Sequence, residues 1–212
     1  MSTPEKALGD VVVARTKDVK LDTRAKSAGK GFAGTHAKYS AGCEATKALE
    51  FGRRDALATI GAADELLDPA TGKLADTLIG AGLTKRGKPL GEFSSYSVTT
   101  ICALGYARQV EASTKLTRAI RKAKPGREVI AACEVVEGHV ATLKRALAAL
   151  DAPHKRWQRS IKERDAALLD WQKALTRFRI LARASLIDDA PAFQALFAEP
   201  EGITVATRKR RK

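Results

Sequence analysis

Three histidines, three cysteines and several basic clusters are the side chains here with chemistry to offer. His36, His139 and His154 stand far apart, and none has a His, Cys, Asp or Glu partner at a metal-ligand spacing. Cys133, Glu137 and His139 come nearest to a cluster, but residues 137 and 139 diverge by about 200° around a helix. No metal site is expected. Cys43, Cys102 and Cys133 are odd in number and form no CxxC pair, which predicts helix-buried thiols in a reducing compartment and no disulfide framework. The adjacent carboxylates Asp64-Glu65 and Asp188-Asp189 point apart on a helix and cannot easily share one site. Gly29-Lys30-Gly31-Phe32-Ala33-Gly34 spells GxGxxG, yet a dinucleotide site needs a buried strand just before it, and Lys20 to Lys26 is too charged for one. No Lys-Ser or Lys-Thr follows Gly34, so the segment is not a P-loop either. With no nucleophile elbow and no Cys–His pairing, the residues predict a non-enzymatic protein with no cofactor and no small-molecule substrate.

The basic residues are the functional candidates. The net charge of +14 comes from 38 Lys and Arg against 24 Asp and Glu. Residues 1–106 hold 15 basic and 12 acidic groups, a net of +3, whereas residues 107–212 hold 23 and 12, a net of +11. A field concentrated in one half attracts a polyanion: a membrane surface, nucleic acid or an acidic protein. Arg118, Arg121, Lys122, Lys124 and Arg127 surround a turn whose only nearby acid in sequence is Glu128. Lys144, Arg145, Lys155, Arg156, Arg159 and Lys162 form a second group, Lys85-Arg86-Lys88 another, and Arg208, Lys209, Arg210, Arg211 and Lys212 a basic tail.

The elements that must position these charges are helical. Ala, Lys, Arg and Leu dominate and aromatics are only 5%, a mix that loses little rotamer freedom in a helix. Stepping by four and three from Val129 gives Cys133, Val136, Val140, Leu143, Leu147, Leu150, His154, Trp157, Ile161, Arg164, Leu168, Trp171, Leu175, Phe178, Ala182 and Ser185. All but His154, Arg164 and Ser185 are apolar, which is a coiled-coil seam. At 1.5 Å per residue such a helix would form a rod of roughly 85 Å. Pro153 lies on this stretch and should bend it, since the phase survives; the alternative is a new helix capped by Asp151. Arg164 on the seam calls either for an acidic partner from another helix or for a packed stem with its head in water.

Upstream, Lys124-Pro125-Gly126-Arg127 reads as a turn and residues 94–123 as a helix. Residues 83–93 read as a loop, residues 71–81 as a short helix, Asp68-Pro69 as a turn and residues 43–67 as a helix. A first helix from about residue 4 is expected to weaken, bend or break near residues 29–34. Residues 188–199, with Phe193, Leu196 and Phe197, form a short packing helix. The expected fold is therefore all-α: an elongated antiparallel three-helix, or four-helix, coiled-coil bundle over residues 1–187. A packing helix at 188–199 and a disordered basic tail at 200–212 complete it. No apolar run approaches the roughly 18 residues of a membrane span, and Glu5, Lys6 and Asp10 argue against a signal peptide, so a cytoplasmic protein, peripheral at most, is expected.

Long helices bent by Pro, basic faces and a basic helix–helix tip together resemble the BAR-domain architecture over residues 4–186, without a shared sequence motif. The resemblance implies a homodimer whose basic residues meet anionic lipid, with 118–127 as its tip and Lys144, Arg145, Lys155, Arg156 and Arg159 on its inner face. Non-specific nucleic-acid binding through the basic tail and helix faces is the alternative, and a structural coiled coil with an acidic protein partner is a third.

Overall fold

The structure, a computed structural model, describes residues 3–199. Among the described residues it is all-helical and without a β-strand. The elements are α1 (Pro4–Arg15), α2 (Thr23–Gly80), a 3-10 turn at Gly91–Phe93, α3 (Val98–Cys102), α4 (Tyr106–Lys122), α5 (Arg127–Ser185) and α6 (Ala190–Phe197). The tail at Arg208–Lys212, with the disorder expected for 200–212, lies outside the described residues. No helix among the described residues is long and apolar enough to cross a membrane.

The chain divides into two compact units: one uses the chain up to Leu49 and from Trp157 onward, the other is Glu50–Arg156. The first unit has an aromatic core. Phe32 lies 5.7 Å from Trp171 and 6.0 Å from Phe178, ring centre to ring centre, and Phe178 meets Phe197 of α6 at 5.3 Å. Buried Leu8 and Val12 bring α1 into this core. Here α2 and α5 pack together, pairing Asp22 with Ser185 through a 2.7 Å hydrogen bond and Gly29 with Phe178. The second unit is aliphatic: Ile60, Leu67, Leu74 and Leu78 of α2 close on Leu116 and Ile120 of α4 and on Val136 and Leu143 of α5. Each such buried side chain contributes about 1.5–3 kcal/mol.

The seam predicted from Val129 to Ser185 lies on one unbroken helix. Val129, Cys133, Val136, Val140 and Leu143 are buried in the second unit, and Trp171, Leu175, Phe178 and Ala182 in the first. The positions from Leu147 to Leu168 are half-buried. Pro153 does not divide α5, and Asp151 caps no new helix; its carboxylate instead takes Lys155 Nζ at 2.7 Å. Arg164 keeps its stem against Gly42, and its head pairs with Asp165 of its own helix at 2.6 Å.

Three expectations need correction. The first helix does not weaken at residues 29–34. It breaks earlier, at residues 16–22, where the Thr16 hydroxyl folds back on the Val12 carbonyl and Asp22 caps α2 by accepting from Ala25 N–H. Gly29 sits inside α2 because a Cβ there would meet Phe178 and Thr16 at 3.2 Å; the glycine serves close packing. Asp68-Pro69 is no turn, since α2 runs through Pro69. A helix-interior Pro costs about 3 kcal/mol, and burial of Leu67, Ala70, Thr71 and Leu74 on both sides of it outweighs that. Finally, residues 94–123 are not one helix. Ser97 caps α3 through Thr100 N–H, and the chain turns at Ala103–Gly105 before α4 begins.

Candidate anion-binding surface

Helix α4 ends among the basic residues, with Arg121 and Lys122 in its last turn. Ala123 and Lys124 N–H close onto the Ile120 and Arg121 carbonyls, Lys124 adopts the left-handed conformation (φ 49°), and Pro125 prevents continuation. Glycine ordinarily holds that position; here it is a lysine, so the cation sits at the apex of the turn. Four residues later Val129 and Cys133 pull the start of α5 into the core, which leaves Arg127 outside.

This hairpin gathers Arg118, Arg121 and Lys122 of α4 with Lys144 of α5 around one open groove of about 600 Å³. Glu137 also lines the groove. Arg121 grips it in a two-pronged contact, Nε and Nη2 donating to the two carboxylate oxygens at 2.9 and 2.8 Å, with Glu134 a further 3.9 Å contact. Arg121 holds the Glu137 carboxyl below its usual range, and hydrogen bonding to Glu137 pushes the guanidinium up. Arg121 is thus committed within the protein, while Arg118, Lys122 and Lys144 have no hydrogen bond or ion pair among the described residues. Sequence proximity pointed to Glu128 as the local acid; the acid that matters is Glu137, sixteen positions away and brought back by the hairpin.

The other candidates are less concentrated. Arg145 leans on its own helix, toward the Ala141 carbonyl and the Thr142 hydroxyl, and Arg156 toward the Ala152 carbonyl. Lys155 is paired with Asp151. Arg159 and Lys162 are exposed on the part of α5 that belongs to the first unit. Lys85, Arg86 and Lys88 are exposed on the loop after α2, where Lys88 meets Glu92 at 3.1 Å.

Sequence reasoning passed over one polar cluster. Asp64 and Asp68, four residues apart on α2, share a face, and across from them stand Gln109 and Ser113 of α4, both with no exposed surface. Gln109 donates to Asp68 at 2.7 Å, while Asp64 Oδ1, Gln109 Oε1 and Ser113 Oγ find no partner within the protein. Burial, then the neighbouring Asp68, raises the Asp64 carboxyl. Cys102 of α3 lies against the same carboxylates; burial first, then its hydrogen bond to Asp68, pushes the thiol up to about 11. It is held as a neutral thiol at physiological pH, which is the wrong form for a nucleophile. The 64/68 spacing was visible in the sequence; its opposition to Gln109 was not.

Among the described residues no three His, Cys, Asp or Glu side chains gather as a metal site. The GxGxxG segment lies inside α2, with no strand before it among the described residues. Comparison with protein-family models, with curated proteins and with solved structures returns no match.

Proposed function

We propose that this chain is a non-enzymatic helical protein that binds an anionic membrane surface through the α4–α5 hairpin. The observation that supports this reading most is the groove where Arg118, Lys122 and Lys144 stand unpaired and the one carboxylate among them is neutralised internally by Arg121. Lys124 and Arg127 extend the same charge to the turn. Each cation near an anionic leaflet contributes about 1 kcal/mol, so three give on the order of hundredfold enrichment at the surface. In this reading α2 and α5 form an antiparallel coiled-coil pair, which the falling order of their contacts supports: 22 with 185, 29 with 178, 42 with 164.

Co-sedimentation with phosphatidylserine-containing and purely phosphatidylcholine vesicles tests it. The chain should pellet with the former only, less so as salt rises. The triple change Arg118→Glu, Lys122→Glu and Lys144→Glu should abolish pelleting while the helical circular dichroism is kept. Equal pelleting with both vesicles refutes the proposal. Salt-sensitive retention of duplex DNA without any vesicle preference would replace it with the nucleic-acid reading.

A further inference from the structure

A second and chemically different groove lies in the first unit, between α2 and α5, with a volume of about 750 Å³. Ala28, Phe32, Ala174 and Leu181 supply its apolar lining. At Gly31, also in the lining, a Cβ would find no heavy atom within 4 Å, so space stands open directly over the α2 backbone. The charges in the lining are Arg24, Lys173 and Arg177, with no carboxylate. Arg24 and Arg177 have no hydrogen bond or ion pair among the described residues, and Lys173 has only Asp170 at 3.9 Å. Lys173, Arg177 and Leu181 also belong to an adjoining apolar hollow on α5 beside Leu169 and Ile180, which are 59% and 65% exposed. Two large aliphatic side chains on one helix face, left this open beside Lys173 and Arg177, mark an interaction surface.

We propose that this surface docks an acidic amphipathic helix of a partner protein. A groove with an apolar floor and a lining whose charges are all cationic matches a helix that buries aliphatic anchors and presents carboxylates at its flanks. Residues 200–212 are no such segment, since their one acidic residue, Glu201, stands against the five basic residues Arg208 to Lys212. A second copy docked two-fold here would set Arg24, Lys173 and Arg177 against themselves, with +14 facing +14. The surface is separate from the α4–α5 groove in residues and in chemistry.

The test uses the full chain and a fluorescein-labelled synthetic helix of about 20 residues, roughly 30 Å long, with Leu at the a and d positions and Glu beside them. Fluorescence anisotropy is compared with a scrambled peptide of equal composition and with a version carrying Lys for Glu. The acidic amphipathic peptide should bind at least about tenfold more tightly than either control. Gly31→Leu, which fills open space and improves helix propensity, and Arg177→Glu should each weaken binding about tenfold or more, with Lys47→Glu, an exposed charge outside both grooves, as an unaffected control. Equal binding of the scrambled peptide, or indifference to both variants, overturns the proposal. So does self-association that Gly31→Leu abolishes, which would make the occupant a second copy, or loss of vesicle pelleting in these variants, which would make it lipid.

Discussion

Replacing Asp64 by Asn should stabilise the protein at neutral pH, although it alters a residue inside a helix interface. The Asp64 carboxyl is raised above its ordinary 3.8 by burial and by Asp68, so the folded chain binds that proton more tightly than the unfolded chain does. Stability from this group is fully present below the ordinary value and is lost as pH rises through the raised one. Above that range the ionised carboxylate stands with Oδ1 unpartnered and a second carboxylate beside it. An unsatisfied buried group costs about 1–3 kcal/mol, and because Asp64 is only half-buried the low end applies, about 1 kcal/mol. In a chain of this size that is roughly 2–4 °C in Tm. Thermal melts of wild type and Asp64→Asn, followed by circular dichroism from pH 7 down into the acid range, measure it. The variant should melt higher at pH 7, and the gap should close as Asp64 takes up its proton. A variant less stable at pH 7, or a gap that ignores pH, refutes the assignment.

Gly9→Ala should destabilise the first unit by about 2 kcal/mol in urea denaturation, because its Cβ would overlap His36, whose ring cannot retreat: Trp171 Nε1–H donates to Nδ1 at 3.1 Å and Asp10 meets Nε2 at 2.8 Å. His36→Ala in the same chain should recover part of that loss, as a double-mutant cycle would register. Lys124→Gly should gain about 0.5–1 kcal/mol in the same assay by relieving a left-handed lysine, while weakening anionic-vesicle binding by one cation's worth. Glu137→Gln should strengthen vesicle pelleting several-fold, since it removes the groove's carboxylate and frees Arg121 for the ligand.

Much of the helical plan was legible because its signals are local and periodic. The seam on α5 could be followed across Pro153, since a stripe that keeps its phase needs a continuous helix. Where the reading failed, distant packing overrode a local signal. Pro69 and the glycines at 29–34 are helix breakers by propensity, yet Leu67 and Leu74 anchor one stretch and Phe178 covers Gly29 in the other. The true interruptions have quieter marks: an Asp cap at residue 22, a Ser cap at residue 97, a glycine at 105. The basic turn at 118–127 was legible from charge and from Pro-Gly, but the left-handed backbone of Lys124 within it was not. The pairing of Arg121 with Glu137 was not, because it requires knowing how two helices fold back. Neither was the α2–α5 groove, whose lining comes from stretches about 140 positions apart.

The division of α5's burial between two cores has a bearing on synthesis. The aliphatic unit is one uninterrupted stretch of chain, complete once residue 156 has been made, whereas the aromatic unit needs both ends of the polypeptide. Phe32 is translated 146 positions before Phe178, its ring neighbour. At about 5–20 residues per second, that interval lasts roughly 7–30 s on the ribosome. Throughout it Phe32 and Tyr39 lack Trp171 and Phe178, the rings they meet in the finished chain, so the amino-terminal helices leave the ribosome without the later half of their aromatic core.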